Sequence, residues 1–399
     1  GSVSITGANL TLGGNVTADA NSAGSESLTL AATNAAANSL NVNAGLTTNG
    51  GSITLSANDD VIFAAAGDLA SNNGNVSVTA DADDTAAGTG GALTMADGTT
   101  INAGTGTITL AADENVALGG LTTTNATAAA VSVTSDNGSI TEAGDTDVEI
   151  TATAVGSVVT LSAKDTIGTV SGDAVYLDLG DTGYVGNPLE TAVASLSATT
   201  SAADGDIAID NTNAAGLALS TLQPSGAGNV GSVWIRNSAG LDVSGITINN
   251  TNFPGDKLAF IATTGNLTVQ DSSISVGTGV LKLESIAGDI LRTGNAATAI
   301  DVTAQDFMLR SATSETIAST VTNLDAQITG SGNDLTVNQT GDLVTKNLGG
   351  SGDQVNARDV SLYAAGGIAV TTSAGSVSLN DAVLADAEAL AVTVVGAGK

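Results

Sequence analysis

The chain has 399 residues, with 40 acidic and 9 basic side chains, a net charge of −31, and neither cysteine nor histidine. That balance leaves no basic footprint for a phosphate backbone or an anionic bilayer, and it removes disulfides, thiolate metal sites and the usual neutral-pH acid–base catalyst together. Aromatics make up 2% of a chain that is 42% hydrophobic and holds 50 glycines, so burial rests on Val, Ile, Leu and Ala in a narrow interior with glycine at the turns.

The sequence opens at Gly1 with no initiator Met and no signal peptide, which points to a processed protein or an internal segment of a longer one. No run approaches the ~20 apolar residues of a membrane span. From the start, apolar and polar residues alternate over a few positions and then give way to Gly, Asn, Asp or Ser, as in Val3 and Ile5, Leu28 and Leu30, Leu40 and Val42, and Ile53 and Leu55. Gly51-Ser-Ile-Thr-Leu-Ser-Ala57 returns as Gly74-Asn-Val-Ser-Val-Thr-Ala80 and as Gly106-Thr-Ile-Thr-Leu-Ala-Ala112. A strand this short cannot bury its apolar face alone, and stacked copies are the way to build a continuous core from such units. The expectation is therefore an all-β parallel β-solenoid, an elongated rod with coils of ~21 residues holding two or three strands each.

The rhythm changes near the middle. Phe63 is the only aromatic before Tyr176, and Pro188, Pro224 and Pro254 all lie beyond it. The stretch 171–190 reads as an irregular loop or junction between a Thr/Ser/Ala-rich solenoid over 1–170 and its continuation over 191–399. Within the second part, Val193, Leu196, Ala198, Asp206, Ile207, Ile209 and Thr212 recur as Val321, Leu324, Ala326, Asp334, Leu335, Val337 and Thr340, an offset of 324 − 196 = 128 residues. At the limits of the chain, Gly1 to Gly7 and Leu390 to Val395 both read as strands without a polar cap. An unpaired strand edge invites another chain.

Asn323-Leu-Asp-Ala326, Asn333-Asp-Leu-Thr-Val-Asn338, Thr340-Gly-Asp-Leu343 and the Gly51 phrase are similar to the repeats of filamentous-haemagglutinin-type exoproteins. These are large bacterial surface proteins, often exported by two-partner secretion. The resemblance implies a right-handed parallel β-helix, a secreted or outer-surface location, and roles in adhesion, matrix or contact-dependent interactions. The family's N-terminal secretion domain is not recognisable in this chain.

Candidate sites are few. Asp145, Asp147 and Glu149 alternate along one strand opposite Val148 and Ile150, and with Asp204, Asp206 and Asp210, or Asp81, Asp83 and Asp84, they offer oxygen ligands suited to calcium. The competing reading is an acidic, solvated surface, since neither EF-hand spacing nor a Gly-Gly-x-Gly-x-Asp array occurs. Trp234 and Arg236 flank Ile235 and read as two outward side chains on an aliphatic rung. Glycoside cleavage needs two carboxylates at a set separation, usually beside sugar-stacking aromatics, and aromatics are nearly absent. No catalytic and no cofactor-binding residue is assigned. Asn9-Leu-Thr11, Asn15-Val-Thr17, Asn75-Val-Ser77 and Asn266-Leu-Thr268 match glycosylation sequons, a pattern that an Asn-led strand start generates by itself. Thr122-Thr-Thr124 stands alone, and no regular two-column threonine array is legible. The expected function is a non-catalytic, structural and adhesive extracellular fibre segment with a host, matrix or cell-surface ligand. The alternatives are a filament subunit that self-associates end to end or laterally and a polysaccharide-active β-helix enzyme.

Overall fold

The computed structural model describes residues 1–18, 25–34, 37–83, 90–144, 148–171, 174–179, 186–224, 231–253, 255–293, 299–349, 354–355 and 358–395. The fold is a parallel β-helix, and its only helix among the described residues is the single turn Ala174–Leu177. Two compact units are present. One comprises Gly1–Thr169, Asn187–Asn213 and Thr221–Ser225, and the other comprises Val170–Gly186, Ala214–Ser220 and Gly226–Lys399.

In the first unit each full coil contributes one strand to each of three faces. The first face stacks Val3–Thr6, Leu28–Ala32, Ile53–Ala57, Val76–Thr79, Ile108–Ala112, Val131–Ser135, Val159–Ala163 and Ser195–Thr200, every pair parallel and in register. The second face runs from Leu10–Leu12 to Ile140–Glu142, and the third from Val16–Thr17 to Ile207–Asn211. Because side chains alternate, Leu28, Ile53, Val76, Ile108, Val131, Val159 and Leu196 form one inward column. Each fully buried Leu, Ile or Val contributes ~1.5–3 kcal/mol. Along the first face the coils exceed the ~21 residues expected from repeat length and are unequal, from 23 residues (Ile53 to Val76) to 37 (Val159 to Leu196), while the third face takes steps from 20 residues (Ile101 to Leu121) to 41 (Ile150 to Thr191).

That inequality hides a second regularity. Along the outward side of the first face, Ser4, Thr29, Thr54, Ser77, Thr109, Ser132, Thr160 and Ser197 lie in register on successive rungs. Two residues further on, Thr6, Ser56, Thr79, Thr134, Ser162 and Thr199 form a parallel column interrupted by Ala31 and Ala111. A two-column hydroxyl array is therefore present after all. Serine and threonine share its positions, and the varying coil length scatters its members through the sequence.

The recurring glycine has a steric cause. A Cβ at Gly51 would lie 1.9 Å from the Glu26 carbonyl oxygen, one at Gly74 would lie 2.0 Å from that of Gly51, and one at Gly106 would lie 2.0 Å from that of Gly74. Successive coils touch backbone to backbone at this corner. The buried hydroxyls of Thr48 and Ser71 close the same corner by donating to the carbonyls of Gly51 and Gly74, each at 2.5 Å. Asparagine does comparable work at the strand starts: Asn9, Asn15, Asn75 and Asn115 accept the backbone amides of Ser39, Gly45, Thr107 and Ser139 from the next coil at 2.9–3.0 Å. The sequon asparagines thus serve as clamps between coils.

In the second unit the strands Val233–Asn237, Lys257–Ala262, Val280–Ser285, Ile300–Ser311 and Glu315–Ile328 pair in that order. The last two have 12 and 14 residues, longer than the short strands expected. Here the outward side chains are buried as well. Trp234 is 1% exposed and packs with Ala259, Ile261 and Tyr176, while Val170, Leu177 and Ile286 close the rim. Tyr176, Leu177 and Asp178 thus act as a strap across the sheet: the Lys282 ammonium donates to the Asp178 carbonyl, and the Lys257 ammonium sits 6.0 Å from the Tyr176 ring. Trp234 and Arg236 do point outward from their rung, but the indole is covered rather than presented to solvent.

Gly74→Ala is expected to lower the stability of the first unit by ~2–3 kcal/mol, since neither the backbone of the preceding coil nor the new methyl has room to move. Gly13, whose Cβ would meet nothing within 4 Å, is the control, and Gly13→Ala should stay within ~0.5 kcal/mol of wild type in urea unfolding.

Candidate functional site

The third face of the first unit carries acids on its outer side. Glu149 directly precedes the strand Ile150–Ala152, and the register Ile150 to Thr191 places it beside Glu190 of the next rung. Glu190 is in turn level with Asp210 on the rung after that. Ile150, Thr191 and Asn211 point inward, so these carboxylates project away from the core, as alternation predicts. Glu142, at the end of the second-face strand Ile140–Glu142, completes a trio: one carboxylate oxygen from each of Glu142, Glu149 and Glu190 lies within 4.8 Å of the others.

Glu149 is 2% exposed. Its Oε2 accepts the Glu190 amide at 3.1 Å, and its own amide donates to the Glu190 carbonyl at 3.1 Å, so backbone pairing fixes the side chain in place. Burial is the largest influence on its carboxyl and, with the charges of Glu142 and Glu190, pushes its pKa up to about 8; hydrogen bonds from the Glu149 and Glu190 amides pull the other way. At neutral pH the group holds its proton. Once ionised, the trio presents hard oxygens of the kind that hold calcium, with further ligands needed from carbonyls or water.

Of the acids picked out by sequence, Glu149 and Asp210 fall on the same outer ladder, one rung apart on either side of Glu190. Asp204 is exposed in the turn before the strand Ile207–Asn211, and Asp206 is half-buried with its carbonyl accepting the Ile167 amide at 2.9 Å. Asp145 and Asp147 lie outside the described residues. Glu142 and Glu190 were not anticipated. Alternation alone would have turned Glu190 outward within Leu189-Glu-Thr191, but the 41-residue step from Ile150 to Thr191 that sets its register leaves no trace in the local pattern.

A second charged group lies beneath the strap of the other unit. Lys282 Nζ is 3.2 Å from Glu284 Oε2, and Arg310 Nε is 3.9 Å from Glu284 Oε1, with Lys282 and Glu284 essentially inaccessible. Asp325, also fully buried, accepts the Leu348 amide at 2.7 Å. Pairing of this kind offsets the cost of removing the charges from water. Glu315, buried and hydrogen-bonded to Ser311 and the Ile290 amide, has its carboxyl pushed up to about 7 by desolvation.

Comparison with known proteins gave no matching protein family, no matching curated protein and no matching solved structure.

A raised carboxyl pKa means that the folded protein keeps a proton that the unfolded chain has released. The stability this contributes is complete below about pH 4.5, declines as pH rises and is lost once pH passes about 8. Glu149 is therefore expected to weaken the fold between pH 5 and pH 8 by on the order of 4 kcal/mol, with Glu315 adding a smaller decline between pH 5 and pH 7, and Glu149→Gln should remove the larger part of the slope in urea unfolding and be the more stable protein at pH 8. An unchanged slope in the variant would assign the titration elsewhere. Calcium reads out in the same experiment: millimolar calcium should raise the wild-type midpoint at pH 8 but not at pH 5, and indifference to both calcium and chelator removes the ion from the account.

Proposed function

We propose that this chain is a non-catalytic, structural and adhesive segment of a secreted or cell-surface bacterial solenoid protein. One observation carries the reading: the register that stacks the aliphatic core also sets out two outward columns of serine and threonine along the first face of the first unit. Rungs repeat at ~4.8 Å and the two columns stand ~6.7 Å apart along the strand. A grid of small hydroxyls on a stiff ladder provides many weak polar contacts with a ligand that itself repeats, such as a polysaccharide or a matrix polymer, and multivalency turns weak contacts into firm attachment. The resemblance to filamentous-haemagglutinin-type repeats points the same way. Burial of Trp234 beneath Tyr176 withholds the chain's only tryptophan from sugar stacking, which favours attachment over turnover.

The same grid favours a second reading, in which the repeating ligand is ordered water at an ice surface. Regularly spaced hydroxyls and methyls on a rigid sheet can hold water in a lattice-like layer.

Ser77→Lys and Thr109→Lys place bulky charges in the middle of the first column without touching the core. Their unfolding midpoints should match wild type, while retention on cellulose, chitin or a collagen-coated surface should fall at least ~10-fold, the amount that ~1.4 kcal/mol represents. Equal retention of wild type and both variants on every surface would overturn the adhesive reading of this face. Inhibition of ice recrystallisation by wild type, lost in the same two variants, would select the second reading.

A further inference from the structure

We infer that Tyr176, Leu177 and Asp178 form a displaceable cover over a second binding face, and that this face takes an acidic polysaccharide, a chain of sugar rings bearing carboxylates. The inference shares with the reading above only the choice of a polysaccharide as ligand. It concerns the other unit and a different set of side chains.

The covered face is the outer side of four consecutive rungs: Val233–Asn237, Lys257–Ala262, Val280–Ser285 and residues 306–310 of the next strand. Alternation turns Trp234, Arg236, Lys257, Lys282, Glu284 and Arg310 outward from them. Four of the chain's nine cations and its only tryptophan therefore share one small face with two carboxylates, Glu284 and Asp306, in a chain whose acids outnumber its bases 40 to 9. A ladder does not need such residues on its outside, since the two outward columns on the first face of the first unit hold only serine, threonine and alanine. An indole beside guanidinium and ammonium groups is the chemistry that recognises an acidic sugar: the flat ring takes the sugar's apolar face and the cations take its carboxylate.

The cover sits where that ligand would. Tyr176 packs against Trp234 with the Lys257 ammonium 6.0 Å from the centre of its ring, and the Asp178 carbonyl accepts the Lys282 ammonium. A ring on the indole and an oxygen on a cation are thus supplied from within the chain. Arg236, 5.6 Å from the centre of the indole, adds a second cation beside the stacking surface.

The attachment of the cover is local. Among the described residues, none between Val170 and Gly186 belongs to a strand, and the ladder runs past the excursion: Ile150–Ala152 pairs with Leu189–Val193, and Val159–Ala163 with Ser195–Thr200. Thr169 and Asn187, at its two ends, are joined by an amide-to-carbonyl hydrogen bond of 2.7 Å, so the loop closes at its base. Lifting the cover leaves the charges beneath it compensated, because Lys282, 3.2 Å from Glu284, and Arg310, 3.9 Å from the same carboxylate, are paired within the sheet itself. The bond from Lys282 to Asp178 is exchanged for one to water or to the ligand. Cover and ligand compete for one place, so the intact chain binds with an affinity lowered by the small fraction of molecules that are uncovered.

Retention on alginate, with the emission of Trp234 as a second readout, tests this in two variants of the full chain. One is Tyr176→Ser, and in the other residues 171–185 are replaced by Gly-Ser across the closed base. Both should keep the wild-type circular dichroism, bind alginate at least ~10-fold more tightly than wild type, and change their emission on binding. High salt should erase the gain, and so should Arg236→Gln with Lys257→Gln in the shortened chain. A shortened chain that folds but binds alginate no better than wild type overturns the proposal. An equal gain on uncharged dextran overturns the assignment to an acidic ligand, and binding of a peptide with the sequence of residues 174–179 in place of alginate overturns it in favour of a protein partner. Unfolding of both variants overturns it by making the cover a structural part of the sheet. The gain should persist when Ser77→Lys is added, so failure of the hydroxyl face and failure of this face are told apart in one measurement.

Discussion

Parallel pairing in register is the constraint on which the rest of this molecule depends. A strand of three to five residues has too little apolar surface to hold itself in place, and it becomes stable only when the rung on each side offers the same residue class at the same position. The core is consequently a set of columns: Leu28, Ile53, Val76 and Ile108 form one and Leu30, Leu55, Val78 and Leu110 its neighbour. Aliphatic side chains suit columns at this spacing because they nest in adjacent rungs without needing a wide interior. The near-absence of aromatics in the first unit is the composition of such a tube.

The same constraint explains where polar groups are tolerated. Corners must turn the chain without leaving orphaned backbone groups, and buried Thr48 and Ser71 inside, with Asn9, Asn15 and Asn75 at the strand starts, supply the missing partners. Charge is handled differently in the two units. In the first, acids stack on the outer side of one face and a proton stays on Glu149. In the second, the outer side is covered, and Lys282, Glu284 and Arg310 compensate one another beneath the strap, so that a sheet apolar on one side can also be buried on the other.

Much of this was legible in the amino-acid sequence, and the division is physical. Alternation is local: Ile53 and Leu55 facing in with Thr54 facing out needs only the two-residue period of a strand, and the glycine phrase marks the corner at which backbones touch. Register is not local. It depends on coil length: steps of 23 to 37 residues dispersed the hydroxyl columns, and a step of 41 residues separates Glu149 from Glu190, beyond what spacing reveals. Glu149 and Asp210 were picked out as acids but not as members of one ladder. Trp234 was read correctly as outward, yet its cover comes from Tyr176, far away in sequence and with no periodic signal to connect the two.

The glycine corner also governs how such a chain can lengthen. Leu46 to Ile53, Leu69 to Val76 and Ile101 to Ile108 all span seven residues around it, whereas the opposite passage takes eight residues from Ile53 to Val61 and seventeen from Val76 to Leu93. Extra chain has entered between the first face and the second and has been refused at the glycine corner, where carbonyls crowd. The first unit is thus a natural display scaffold: foreign loops can be grafted between Val78 and Leu93, or at the equivalent passage of a neighbouring coil, while the ruler at Gly51, Gly74 and Gly106 preserves the spacing of everything around them.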